Sequence, residues 1–299
     1  MVAGRSLSQR RFASALRFDV WNYLGLAFLG FLTLYPFYYM VVASFSSGNA
    51  LIAHQGLLLL PVDATLIAYE RVASNPKIAR GFLNSIYVVV AGVGINMAVT
   101  SLAAYALSRK HLVGRSFLLK FAVFTMVFDR GLIPLFLLVR NVGLYGSLWA
   151  VILTFAVNTY NLLIMVTFFR GVPESLEESA IVDGAGHMRI LWSIFLPVSK
   201  AVVATLILFY AVGRWNGYFY AMIFLPNPDR WPVSLVLREI IISEQMNDYL
   251  GGVDVGDQGS VAETIKYATA VVTTLPILLL YPFLQRYFTK GVMLGSIKG

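Results

Sequence analysis

The stretch GVPESLEESAIVDGAGHMRILWSIFLPVSK, residues 171–200, lies between two long apolar runs, and its pattern sets the fold class. Pro173 precedes a helix start where Ser175 is placed to cap, and Glu178 three residues later completes a capping box that satisfies free N–H groups. Glu174, Glu177 and Glu178 complement the positive end of that helix. Gly184 and Gly186 then permit a sharp turn, after which RILWSIFLPV, residues 189–198, begins a second and more apolar helix. The stretch predicts a helix, turn, helix elbow in water, joined at both ends to apolar segments.

Outward from the elbow, the rest of the chain is a series of such segments. Its 299 residues are 58% hydrophobic, 14% aromatic and 13% charged, far from the soluble pattern of roughly 45–50% apolar and about 25% charged. A segment of ~20 apolar residues crosses a bilayer, and six are present: Trp21 to about Ala43, Phe82 to Leu107, Phe117 to Val139, Leu148 to Phe169, Ala201 to Leu225 and Tyr267 to Leu284. The first is too long for the core of a cleaved signal peptide and is read as a retained span. The chain is therefore expected to be an all-α polytopic membrane protein with six transmembrane helices in one domain over residues 1–299. This excludes a water-soluble enzyme.

The net charge of +8 does not point to nucleic acid, because Lys and Arg lie mostly in short segments between spans. The N-terminal arm, RKHLVGR at 109–115, the elbow, and the tail with Arg286, Lys290 and Lys298 place both termini in the cytoplasm. On the opposite side, Arg71, Lys77, Arg80 and Arg140 dilute the bias. The segment from Ser46 to Gly81 holds GLLLLPV, too short to cross, and is expected against the outer surface. The segment from Pro226 to Glu263 reads as a loop with a short helix in SLVLREII and an acid- and glycine-rich stretch, GGVDVGDQG, at 251–259. With no cysteine and with His54, His111 and His187 far apart, redox and zinc chemistry are not expected, and no metal site is assigned.

Within the elbow, Glu178, Ser179 and Ala180, then Gly184 after three residues, then Ile194, Leu196 and Pro197 after nine more, resemble the EAA signature of permease subunits of ATP-binding-cassette importers. Ser179 stands where that signature has alanine, a small-for-small change that should leave the elbow intact. The resemblance covers nearly the full chain, and FDRGLIPLFLLVRNVGLYGSLWAVIL, residues 128–153, is similar to importers of oligosaccharides, acidic ones such as alginate fragments included. It implies a type I importer permease fold in the bacterial inner (cytoplasmic) membrane, among membrane lipid. It also implies two ATPase subunits, a second permease chain forming a heterodimer, and a periplasmic or extracellular solute-binding protein. The same resemblance makes the elbow a coupling helix, with Glu177, Glu178, Ser179, Ala180, Asp183, Gly184, Ala185 and His187 facing the ATPase. A solvated amphipathic helix at the interface is the plain alternative.

No G-x-x-x-x-G-K-[ST] phosphate loop occurs, so the chain is expected to hold no cofactor, with ATP and magnesium bound by the partner ATPases. An ion- or proton-coupled secondary transporter is the alternative, weakened by the scarcity of acids and bases within the spans. No acid pair, Ser/His arrangement or metal cluster supports catalysis there. For the substrate pathway the fifth span is informative: Tyr210, Arg214 and Tyr218 recur every four residues and would form one face, with Asn216 beside it. Rings stack on sugar faces, and an arginine bonds carboxylates in bidentate fashion. Asn158 and Asn161 in the fourth span, and Asp129 with Arg130 in the third, complete the candidates. Gly213 and Gly217 are spaced for close helix approach. The structural readings beside these are an Arg214 ion pair or a snorkelling Arg214 near the outer interface, tyrosines as interface anchors, and an internal Asp129–Arg130 pair.

Overall fold

The computed structural model describes residues 4–128, 130–249 and 263–279. Regular structure among them is helical throughout. Asp129, the stretch at 251–259 and the last part of the sixth apolar run lie outside the described residues. The chain divides into two compact units, residues 1–72 with 246–271 and residues 73–245 with 272–299.

In the first unit, α1 (Gly4–Ser44) supplies the span Phe18–Ser44, and its apolar side chains are largely exposed. Its C-terminal end packs Val42 and Ala43 with Leu51 of α2 (Gly48–Ala53) and Leu58. Leu58 comes from the GLLLLPV run, which thus anchors one buried leucine and leaves Leu57, Leu59 and Leu60 exposed. Tyr39 meets Tyr267 edge-on at 5.7 Å.

In the second unit, α4 (Pro76–Ser108) is the central post. It starts six residues before the expected Phe82, because Asn75 accepts from the Lys77 N–H at 2.9 Å and Pro76 takes the first helical position, where its missing N–H is harmless. Its buried face carries Ser85, Gly92, Asn96, Thr100, Ser101 and Ser108, while Leu83 and Val90 point outward. Small and polar side chains inside, apolar ones outside, is the arrangement a helix needs among lipid, where packing rather than dehydration drives association. The N-terminal end of α4 holds the loop at 229–231: Asn84 donates to the carbonyls of Asp229 and Trp231 at 2.9 and 3.0 Å, and Arg80 pairs with Asp229. The helix expected in SLVLREII is longer, running Val233–Tyr249 as α14.

The other apolar runs are broken rather than straight. Helices α5 (Arg115–Val127) and α6 (Leu132–Asn141) flank residues 128–131; α7 (Leu148–Thr154) and α8 (Thr159–Arg170) meet at 47°; and α12 (Lys200–Trp215) is followed by a separate α13 (Tyr218–Phe224). Among the described residues two helices alone are long and apolar enough to cross a bilayer, and up to five crossings result when each bent pair counts as one. One end of the unit is a core of Tyr105, Leu162, Met165, Phe169, Leu191, Phe195 and Leu206; a second core joins Val88, Leu135, Ile152, Phe224 and Leu235.

Candidate functional site

The elbow is built on α9 (Glu174–Val182) and a second element running from α10 (His187–Ile190) through a π-helical turn at Leu191–Phe195 to α11 (Leu196–Val198). That element meets α12 at 88° across Ser199. The capping box expected from Ser175 and Glu178 does not form. Pro173 occupies the cap, with no side-chain bond, and its carbonyl takes the Leu176 N–H at 3.2 Å. Its fixed φ presets the helix start two residues early. The stop is as expected: Gly184 has φ +77°, its N–H reaches the Ile181 carbonyl at 2.9 Å, and the Ala185 N–H reaches that of Ala180 at 2.9 Å. This is a Schellman termination, which saturates carbonyls left over at a helix end and favours glycine. Ser179 sends its hydroxyl back to the Leu176 carbonyl at 3.1 Å, so α9 runs through the substitution undisturbed.

What holds the elbow was not visible in the linear pattern. Arg109, just past the end of α4, forms an ion pair with Glu177 and donates to the Phe169 carbonyl at 3.3 Å and to Ser108 Oγ at 3.0 Å. Its guanidinium carbon lies 4.5 Å from the Phe195 ring centroid and 5.3 Å from that of Tyr105. The Tyr105 hydroxyl is 3.2 Å from both Glu177 Oε1 and His187 Nδ1. Thus Glu177 turns in to the end of α4, and His187, itself exposed, reaches the same tyrosine. Glu178, Ser179, Asp183 and Gly184 stay exposed, as do Ile181 and Val182; Ala180 and Ala185 are half-buried. Lys110 bonds Glu174 at 2.6 Å and holds that carboxyl below its ordinary range. The pair is exposed and contributes little to stability.

Deeper in the unit, the breaks in the fourth and fifth runs border an open cavity of about 260 Å³ lined by Phe155, Asn158, Asn161, Tyr210, Gly213 and Tyr220, with Arg214 in its wall. Asn158 caps α8 by accepting from the Asn161 N–H at 3.0 Å, so the two asparagines form a cap as well as a polar patch. Tyr210 is buried, with its hydroxyl 2.8 Å from Thr100 Oγ1. The expected stripe of Tyr210, Arg214 and Tyr218 is interrupted. Asn216 ends α12, Gly217 has ψ +68°, and the helix restarts at Tyr218, whose ring lies under Arg238 at 5.1 Å. Asn216 and Tyr218 are exposed and do not line the cavity. Gly213 has open space around it because it borders the cavity, and a Cβ at Gly217 would meet the Gly213 carbonyl of the preceding α12 at 3.1 Å. Neither receives a neighbouring helix.

Arg214 is 9% exposed and almost fully engaged. Nε and Nη2 donate to Asn96 Oδ1 at 3.1 and 3.0 Å, Nη1 to the Val151 carbonyl at 2.6 Å, and Nη2 to those of Ile152 and Phe155 at 2.8 and 2.9 Å. Asn96 Nδ2 in turn donates to the Phe155 and Ala156 carbonyls at 2.6 and 2.8 Å. The broken fourth run leaves the last carbonyls of α7 without helical partners, and a cation at a helix C-terminus both satisfies them and complements the dipole. The charge within a span is thereby compensated by backbone. This differs from the expectation that Arg214 bonds a substrate carboxylate: a guanidinium has five N–H donors, and these contacts occupy all but one.

The position that makes room for it is Gly92. A Cβ there would meet Arg214 Nε at 2.9 Å, whereas one at Gly94 meets nothing within 4 Å. Arg214 cannot swing aside without losing the α7 carbonyls. Gly92→Val is expected to lower recovery of folded protein in detergent severalfold, consistent with overpacking of about 1–3 kcal/mol. Gly94→Val, two residues away on the same helix, is expected to match the parent in size-exclusion yield, and equal losses for both would locate the effect elsewhere than at Arg214.

Known proteins align with this architecture. The family model described as binding-protein-dependent transport system inner membrane component matches residues 92–294. Protein LplC of Bacillus subtilis (strain 168) is 40% identical over 94% of this chain and 95% of its own. The polygalacturonan/rhamnogalacturonan transport system permease protein YtcP of the same organism is 41% identical over 94% of this chain and 98% of its own. A solved chain of a bacterial ABC transporter involved in the import of the acidic polysaccharide alginate superposes with a TM-score of 0.83 at 33% identity, covering 92% of this chain and 98% of that one.

Proposed function

This chain belongs to the family of binding-protein-dependent transport system inner membrane components, as the permease subunit of an ATP-binding-cassette sugar importer, and from that premise we propose that it carries an acidic oligosaccharide by alternating access. It is a transport subunit and does no chemistry on its cargo. The observation that carries the mechanism is the elbow: a short helix with a glycine stop, tied through Arg109 and Glu177 to the end of the central post α4. A stiff element of this kind transmits a rigid-body push that a loose loop would absorb. In this reading Glu178, Ser179, Asp183 and Gly184, with the exposed Ile181 and Val182, seat in a groove of the ATPase. Glu177, Ala180, Ala185 and His187 pass the motion to α4 and the π-helical turn.

Two ATPase subunits, which bind ATP and magnesium, a second permease chain and an external solute-binding protein complete the assembly, with six crossings and both termini cytoplasmic. The acidic cargo is supported by two relatives named for polygalacturonan/rhamnogalacturonan and for alginate, polymers rich in uronic acids. Aromatic and amide groups around the cavity of Asn158, Asn161 and Tyr210 suit a sugar ring. The purified chain alone is expected to hydrolyse no ATP above background. Adding the cognate ATPase should create hydrolysis, and loaded binding protein should raise it further. Ion- or proton-driven uptake by this chain in liposomes without ATP or partners would overturn the reading.

A further inference from the structure

An acidic sugar needs a cationic partner somewhere along its path, and Arg214, the guanidinium in the cavity wall, is committed to α7. Arg130 is differently placed. It lies between α5 and α6, exposed, with its guanidinium carbon 5.2 Å from the ring centroid of Phe155, a residue that lines the cavity. The start of α8 approaches the same region, since Thr159 Oγ1 is 3.3 Å from Thr125 Oγ1 near the end of α5. Contact with a ring face holds a guanidinium through the ring's quadrupole and consumes none of its N–H groups. The two arginines therefore differ in what they have left to offer. Arg214 is fixed by hydrogen bonds, while Arg130 is steered by an aromatic face and its guanidinium makes no hydrogen bond or ion pair among the described residues, which leaves it the donors for a bidentate anion contact.

We infer that Arg130, held on Phe155 at the rim of the cavity, is the group that recognises the carboxylate of the cargo, while the ring itself enters among Asn158, Asn161, Tyr210 and Tyr220. This rests on the acidic-oligosaccharide reading. The cavity, about 260 Å³ and open on one side, has room for a sugar residue, so the rim position suits a substituent that projects from a ring passing through. Aromatic rings, two amides and the engaged Arg214 then line the interior, and the cargo's charge is met at the edge, where a flexible side chain lets it go again. Binding that is firm enough to select and weak enough to release is what a transport path requires.

The test uses the complete importer, with binding protein and ATPases, in proteoliposomes. Uptake of an oligogalacturonate is compared with that of its methyl ester, which keeps the ring and linkage and removes the charge. Arg130→Gln is expected to reduce oligogalacturonate uptake ~10-fold or more, per unit of assembled complex, and methyl-ester uptake by less than about twofold. Arg130→Lys should restore part of the acidic uptake, because it returns the charge without the bidentate fork. Phe155→Leu, which keeps Arg130 and removes its ring, should show the same selectivity loss in smaller measure. Equal reductions for both cargoes, or unchanged oligogalacturonate uptake in Arg130→Gln, would overturn the role of Arg130 while leaving the acidic cargo in place. A parent importer that carries the ester and not the acid would instead overturn the acidic-cargo reading, and this inference with it.

Discussion

Replacing Arg214 with glutamine is expected to abolish uptake of acidic and neutral oligosaccharides alike and to cut the yield of assembled importer severalfold. The reason is the geometry at the break in the fourth run, where Arg214 serves the carbonyls of Val151, Ile152 and Phe155 together with Asn96. Glutamine is shorter and brings a single amide, so several carbonyls would be left unbonded in an apolar setting, at about 1–3 kcal/mol for each. Arg214→Lys should rescue little. A compact ammonium keeps the charge but cannot reach acceptors spread across the end of α7 and the side of α4. Complex recovery by size exclusion, followed by uptake of both cargo classes, measures the effect. Normal recovery with loss confined to the acidic cargo would instead make Arg214 a carboxylate reader, as its sequence position suggested.

Gly184→Val is expected to eliminate substrate-stimulated ATP hydrolysis and uptake while the chain still inserts in the membrane. Gly184 sits at φ +77°, a conformation that strains a β-branched residue by about 1–3 kcal/mol. Nothing lies within 4 Å of a Cβ built there, so within this chain the objection is to the backbone and not to bulk. The strain would be relieved by unwinding the Schellman turn between Ala180 and Ala185, which tilts α9 away from its tie to Arg109. Gly184→Asn separates the two explanations, because asparagine tolerates the left-handed region. It should retain a substantial part of the activity. If asparagine is as damaging as valine, close contact with the ATPase rather than backbone conformation is the controlling factor.

These two residues show where linear pattern carries information and where it stops. Composition alone decided for a membrane, since 58% hydrophobic residues in separate runs admit no water-soluble exterior. The glycine stop of the elbow was legible because it is a local event: a helix end and a left-handed residue lie within a few positions of one another. Asn158 and Asn161 were legible as neighbouring polar groups, but that one caps α8 through the N–H of the other appeared only with the break in the fourth run. The inside-out face of α4, Ser85, Gly92, Asn96 and Thr100, was present as a period in the sequence, masked by the apolar residues between.

Tertiary structure alone decided the partners of the charges. Arg214 meets Asn96 across 118 positions, and Arg109 meets Glu177 across 68. In the linear sequence Arg214 was an unexplained charge between two tyrosines, and Arg109 one of several orienting cations. A regular helical period also assumes an unbroken helix, so the break at Asn216 and Gly217 removed Tyr218 from a face it was spaced to share. Local spacing fixes which side chains can share a helix; which carbonyls a break exposes, and which distant cation reaches them, depends on how the helices pack.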